Sequence, residues 1–159
     1  MMQRNSSHAP QQPSNPALER LGVFIGEWNT QITSMSFDPN PSAIARGRTS
    51  FDWLEAGAFL IQHSEVPDTA FPRGIAVIGP DDAAETYGML YFDSRGVSRI
   101  YQMSLHGNVW KIWRDFPGFP QRFIGTFSGD HNIITARWEK SGDGSNWELD
   151  FNLTYTRVK

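Results

Sequence analysis

Beyond residue 26 the apolar side chains come in short runs, and glycine-bearing turns separate the runs at roughly 8 to 12 residues, the spacing of small strands in a sandwich or barrel. The turns are Glu55-Ala56-Gly57, Gly79-Pro80-Asp81-Asp82, Asp93-Ser94-Arg95-Gly96, His106-Gly107-Asn108, Gly129-Asp130 and Ser141-Gly142-Asp143-Gly144. Each supplies a glycine where a tight reversal needs positive φ. About ten strands lie between them. Connections this short cannot make parallel crossovers, so the predicted fold is all-β, an up-and-down antiparallel meander. Closing it into a barrel removes the two exposed edges.

The last strand has the plainest pattern: Trp147, Leu149, Phe151, Leu153 and Tyr155 alternate with Glu148, Asp150, Asn152, Thr154 and Thr156, so the odd residues are predicted to face inward. Residues 58–66 and 87–92 carry apolar groups on both faces, which points to cover by a helix or a partner subunit and leaves a homodimer open. Before the first strand, Asn15 can cap a helix that starts at Pro16, with Leu18, Leu21 and Ile25 as its stripe and Gly26 as its stop. Such a helix is long enough to plug one end of a barrel. Residues 1–15 are predicted to be a disordered tail, because 1–14 are polar and rich in Gln, Ser, Asn and Pro. Residues 16–159 then form a single barrel domain.

Composition narrows the chemistry. The net charge of −3 is dispersed, which argues against nucleic acid and polybasic membrane contacts as partners. Cysteine is absent, so disulfides and thiolate sites are excluded. No apolar run reaches the ~20 residues of a membrane span, no secretory leader is evident, and a cytoplasmic location is expected. The four histidines are scattered with no His-x-His or His-Glu-x-x-His spacing, so no metal is expected. Gly-x-Ser-x-Gly, phosphate-loop and dinucleotide fingerprints are likewise missing.

Polar residues that share a face with apolar ones are candidates for the interior. Arg99 and Tyr101 stand two apart beside Val97 and Met103, able to hold a carboxylate with a guanidinium fork and a phenol. Arg114 follows Trp110 and Ile112 in the same way, and Trp110 and Tyr155 add aromatic wall. His63 and Glu65 share a face with Phe59 and Ile61, an arrangement suited to an acid–base pair in a cavity or to a rim histidine. Residues 115–120 make a long aromatic, proline-stiffened loop, either a lid or a wide hairpin connection.

Gly26-Glu27-Trp28, after a short helix and before a meander, resembles the Gly-x-Trp opening of the calycin barrels: lipocalins, fatty-acid-binding proteins and the nitrobindin-like group. The resemblance implies that Arg157, near the end of the last strand, packs over the Trp28 ring and closes the barrel. Phe92-Asp93-Ser94-Arg95-Gly96 and Trp138-Glu139-Lys140-Ser141 make the chain most similar to a bacterial family of uncharacterised lipocalin-like domains, which implies a fold and no established activity. Nitrobindin-like proteins ligate haem through a histidine in the C-terminal strand region. Here the last histidine, His131, lies well short of that place, and no cofactor is expected.

Three readings follow. The first is a barrel that binds a small apolar, amphipathic or fatty-acid-like ligand, with any anionic head near Arg99, Tyr101 or Arg114. The second is an isomerase, lyase or hydrolase working through His63 and Glu65. The third is a filled barrel that serves as a structural or dimerising module.

Overall fold

Asn15 accepts a hydrogen bond from the Ala17 amide through its side chain and starts α1 (Pro16–Leu21), with proline at the first helical position. The computed structural model describes residues 15–67, 70–82 and 85–159; of the tail expected over 1–15, all but Asn15 lies outside them. The helix is shorter than the stripe of Leu18, Leu21 and Ile25 suggests. It tightens into one 3-10 turn over Gly22–Phe24, which turns Phe24 beside Leu21 into the barrel, where both are fully buried. Gly26 then takes a φ of 127°, a conformation closed to residues with a Cβ, and a Cβ there would also stand 3.2 Å from Arg157.

Ten strands follow: β1 (Gly26–Thr33), β2 (Ala45–Glu55), β3 (Ala58–Glu65), β4 (Gly74–Pro80), β5 (Tyr87–Asp93), β6 (Ser98–His106), β7 (Val109–Arg114), β8 (Gln121–Phe127), β9 (Ile133–Ser141) and β10 (Trp147–Arg157). Each pairs antiparallel with its neighbour in sequence, and β1 also pairs with β10, so the sheet is a closed barrel with no free edge. This is the all-β, up-and-down barrel with a short N-terminal helix that the turn spacing predicts. Among the described residues no helix is long and apolar enough to cross a membrane.

One end of the barrel is packed solid. Trp28, Phe24, Phe51, Phe127 and Trp110 meet there in edge-to-face and tilted contacts, with ring centroids between 4.8 and 6.4 Å. Such pairs add about 0.5–1.5 kcal/mol each to the area they bury. The Tyr87 hydroxyl ties α1 to the wall by donating to the Ala17 carbonyl at 2.7 Å.

Two phase expectations are corrected. In β3 the inward residues are Leu60, Gln62 and Ser64, so His63 and Glu65 stand exposed on the outer wall. The reason is that the alternation rule equates apolar with inside, whereas here polar Gln62 and Ser64 line a cavity and Ile61 belongs to an apolar outer surface. In β10 the register slips between Leu149 and Phe151. This bulge at Asp150 leaves Leu153 and Tyr155 buried inside but turns Leu149 outward. Trp147 also lies outside, beneath the exposed Arg122 guanidinium at 4.0 Å. Glu139 pairs with Arg122 at 2.9 Å and with Arg137 at 3.8 Å on the same outer face.

Candidate ligand-binding cavity

The closed end is held by Arg157. Its guanidinium lies 4.1 Å over the Trp28 ring and donates to the carbonyls of Ile25 and Val23 at 2.7 Å and of His131 at 3.1 Å. The first two of these carbonyls end the helical segment and have no partner within it, and a cation suits that end of the helix dipole. Trp28 and Arg157 are also register partners across the β1–β10 seam, so closure of the sheet and capping of the helix share one side chain. The Trp28 indole donates to Phe24 at 2.8 Å, which fixes the ring. Gly26, Trp28 and Arg157 therefore sit away from the open end.

Above this floor lies a cavity of about 480 Å³. Its walls are mainly apolar and aromatic: Ile32, Ala76, Met89, Ile112, Phe123, Trp138, Phe151 and Leu153 face it together with Trp110 and Tyr155. Burial pushes the Tyr155 phenol pKa well above its ordinary range. Trp110 is buried, and its indole N–H has no hydrogen-bond partner among the described residues. It sits instead among the rings of Phe123 and Phe24, with centroids 4.6 and 4.8 Å away.

Polar groups gather nearer the mouth on two walls. On one, the Thr49 and Ser64 hydroxyls lie 3.2 Å apart and the Gln62 amide donates to Ser64 at 3.3 Å. On the other, Tyr101 donates to Gln121 Oε1 at 2.9 Å and Arg99 Nη1 donates to the same oxygen at 3.3 Å. Arginine has no acceptor, so the oxygen of the Gln121 amide must face Arg99, and no hydrogen bond of its NH2 group occurs among the described residues. Gln121 is buried and lines the cavity, although no pattern in the sequence marks it as an interior residue. Its signal was faint: a glutamine after Pro120 at the start of a strand reads as loop margin until the register places it beside Arg114.

The cations at the mouth differ in their pairing. Arg95 is held by Asp93, which accepts from its backbone amide at 3.0 Å, its Nε at 3.2 Å and its Nη2 at 2.8 Å. The Arg95 hydrogen bonds hold the Asp93 carboxyl well below the usual carboxylate range. Tyr91, whose hydroxyl donates to Asp93 at 2.8 Å, has its pKa raised, first by burial and then by that bond. Arg99 has no carboxylate partner among the described residues; besides Gln121 it meets only the Phe119 ring, at 5.8 Å. Phe119 lines the mouth, so the 115–120 loop stands at the opening.

Of the residues singled out from the sequence, Arg99, Tyr101, Trp110 and Tyr155 come together around the cavity. Arg114 does not join them, because the Phe116 ring takes its guanidinium at 4.4 Å. His63 faces an outer groove of about 630 Å³ with Arg48, Arg73 and Glu27, and the exposed Glu65 borders both that groove and the cavity mouth. His131 lies in the turn at the closed end, bonded to Asn108 at 3.2 Å. No group of three His, Asp or Glu side chains suited to a metal ion occurs among the described residues.

No protein-family model matches the chain, and no curated protein sequence matches it. Among solved structures it is similar to the crystal structure of Rv2717c from M. tuberculosis, with a TM-score of 0.61 and 11% sequence identity over 91% of this chain and 99% of that one. At that identity the likeness is one of fold.

Proposed function

We propose that the barrel binds a small amphipathic molecule, its apolar body against the aromatic walls and a carboxylate-like head beside Arg99. The observation that carries this reading is the donor set of Arg99 and Gln121. Their shared oxygen accepts from both Tyr101 and Arg99, and the groups that the cavity-lining Arg99 and Gln121 have left to offer, the rest of the guanidinium and the Gln121 NH2, are N–H donors. Such a set suits an acceptor-only group, and a charge-assisted hydrogen bond there contributes about 1.5–3 kcal/mol. The volume of about 480 Å³ falls in the range of small-molecule sites, about 300–1,000 Å³. The apolar walls supply binding energy without demanding a particular shape, as a fatty-acid-like chain requires.

The outward His63 separates the acid–base pair expected from the sequence, which supports binding over catalysis. The cavity itself disfavours a barrel filled to its mouth. Native mass spectrometry of protein purified without lipid stripping tests the reading, together with a fluorescent fatty-acid displacement panel. Adduct masses of carboxylic lipids that saturated fatty acids displace are expected. An unliganded chain that also fails to respond to every member of the panel contradicts it.

A further inference from the structure

The outer wall of β3 to β6 is apolar where a barrel facing water would be polar. Ile61, Val77, Leu90 and Ile100 are successive register partners across the four strands and form one outward ridge. Ile75 and Phe92, paired in the row nearer the mouth, broaden it. Ile100 is 72% exposed and Phe92 48%. The row on the other side, toward the closed end, holds Gly79 opposite Gly88, and because the Phe59 ring covers Gly79 the open part of this furrow lies at Gly88. Phe59 closes its β3 end: a Cβ on Gly79 would come within 2.9 Å of that ring, whereas one on Gly88 would meet nothing. Phe59 is also held at a φ of 55°, a costly conformation for a bulky residue, while its side chain stays 49% exposed.

With large apolar side chains presenting roughly 150–200 Å² each when bare, these exposures amount to on the order of 500 Å² per chain. That is near the top of what monomers leave open, about 300–600 Å², and most of the apolar centre of a standard interface of about 800 Å² per partner. Within Ile61, Val77, Leu90 and Ile100 and within Phe59, Gly79, Gly88 and Gln102 no residue is charged, and the exposed Asp52, register partner of Ile61, borders the ridge at its β2 end. Shape does the selecting, and the shape matches itself.

We propose that this wall binds a second copy of the chain. A two-fold axis crossing the strands between ridge and furrow faces each ridge residue with the furrow residue of the same strand on the other copy, so Leu90 sets over Gly88 and Ile100 over Gln102, as an isologous contact requires. The cavity opens at the strand ends rather than through this wall, so the dimer leaves the mouth free and does not depend on the ligand reading.

Static light scattering of the full chain at micromolar concentration tests it, with a mass twice the monomer's 18.0 kDa expected. Ile100→Lys places a charge on the ridge, away from the core, and is expected to return the mass to the monomer's while the far-UV spectrum of the barrel is kept. Gly88→Val fills the furrow yet adds apolar surface. It is expected to weaken association at least about tenfold if shape governs, and to strengthen it if the wall is merely sticky. A wild-type chain that stays monomeric overturns the proposal, whatever else covers the wall. A dimer unmoved by Ile100→Lys, or one strengthened by Gly88→Val, overturns it as well.

Discussion

Two residues show how position decides what a side chain contributes. Trp28 is fully buried, its N–H is paired and its ring carries Arg157, so Trp28→Ala removes core volume and the seat of the seam at once. A loss of about 3–5 kcal/mol in denaturant unfolding is expected, with ligand preference unchanged because the ring lies at the closed end. Asp93, whose side chain is wholly enclosed, acts at the mouth instead. Its pKa in the folded chain is depressed below its unfolded value, so its stabilisation is complete above the ordinary carboxylate range and is lost as pH falls through and below that range. Asp93→Asn is therefore expected to lower the melting midpoint at neutral pH, by the equivalent of about 1–3 kcal/mol, and to shrink that difference on acidification. A difference that grows as pH falls would contradict the assignment.

At the scale of elements, the strands and their order were legible because turn chemistry is local: glycines at reversals and short links leave little freedom but an antiparallel meander. The closing pair of Trp28 and Arg157 came from the resemblance rather than from any pattern. Phase was legible only where one face is wholly apolar. In β3 a polar cavity wall and an apolar outer wall invert the usual sides, and in β10 one extra residue at Asp150 flips Trp147 and Leu149 after a run of apparently perfect alternation. Neither device leaves a local signature, since a bulge is fixed by the partner strand. The same inversion separates His63 and Glu65 from Gln62 and Ser64. Replacing His63 or Glu65 with alanine is expected to leave ligand affinity within about twofold, as for other exposed positions. Gln62→Leu is expected to change which head groups are tolerated, measured by competition between fatty acids and their alcohols.

On the scale of the whole molecule, the barrel divides its labour by end. Aromatic packing, the plugging helix and the Arg157 bonds consume one end, and stability gathers there. The other end keeps a cavity and one arginine whose charge no carboxylate answers among the described residues. The half-buried Arg99 contrasts with Arg95 nearby, whose charge Asp93 answers at 2.8 Å. The site was half legible: Arg99 and Tyr101 stand out in the sequence as a polar pair on an apolar face, whereas Gln121 becomes visible only once β6 and β8 enclose one interior. The most direct measurement is a calorimetric titration of delipidated protein with dodecanoate and with dodecanol, repeated on Arg99→Leu. The expected result is a preference of the wild type for the carboxylate by about tenfold to a hundredfold, abolished in Arg99→Leu while dodecanol binding is retained. Equal affinity of the wild type for acid and alcohol, or no binding of either, would contradict the account.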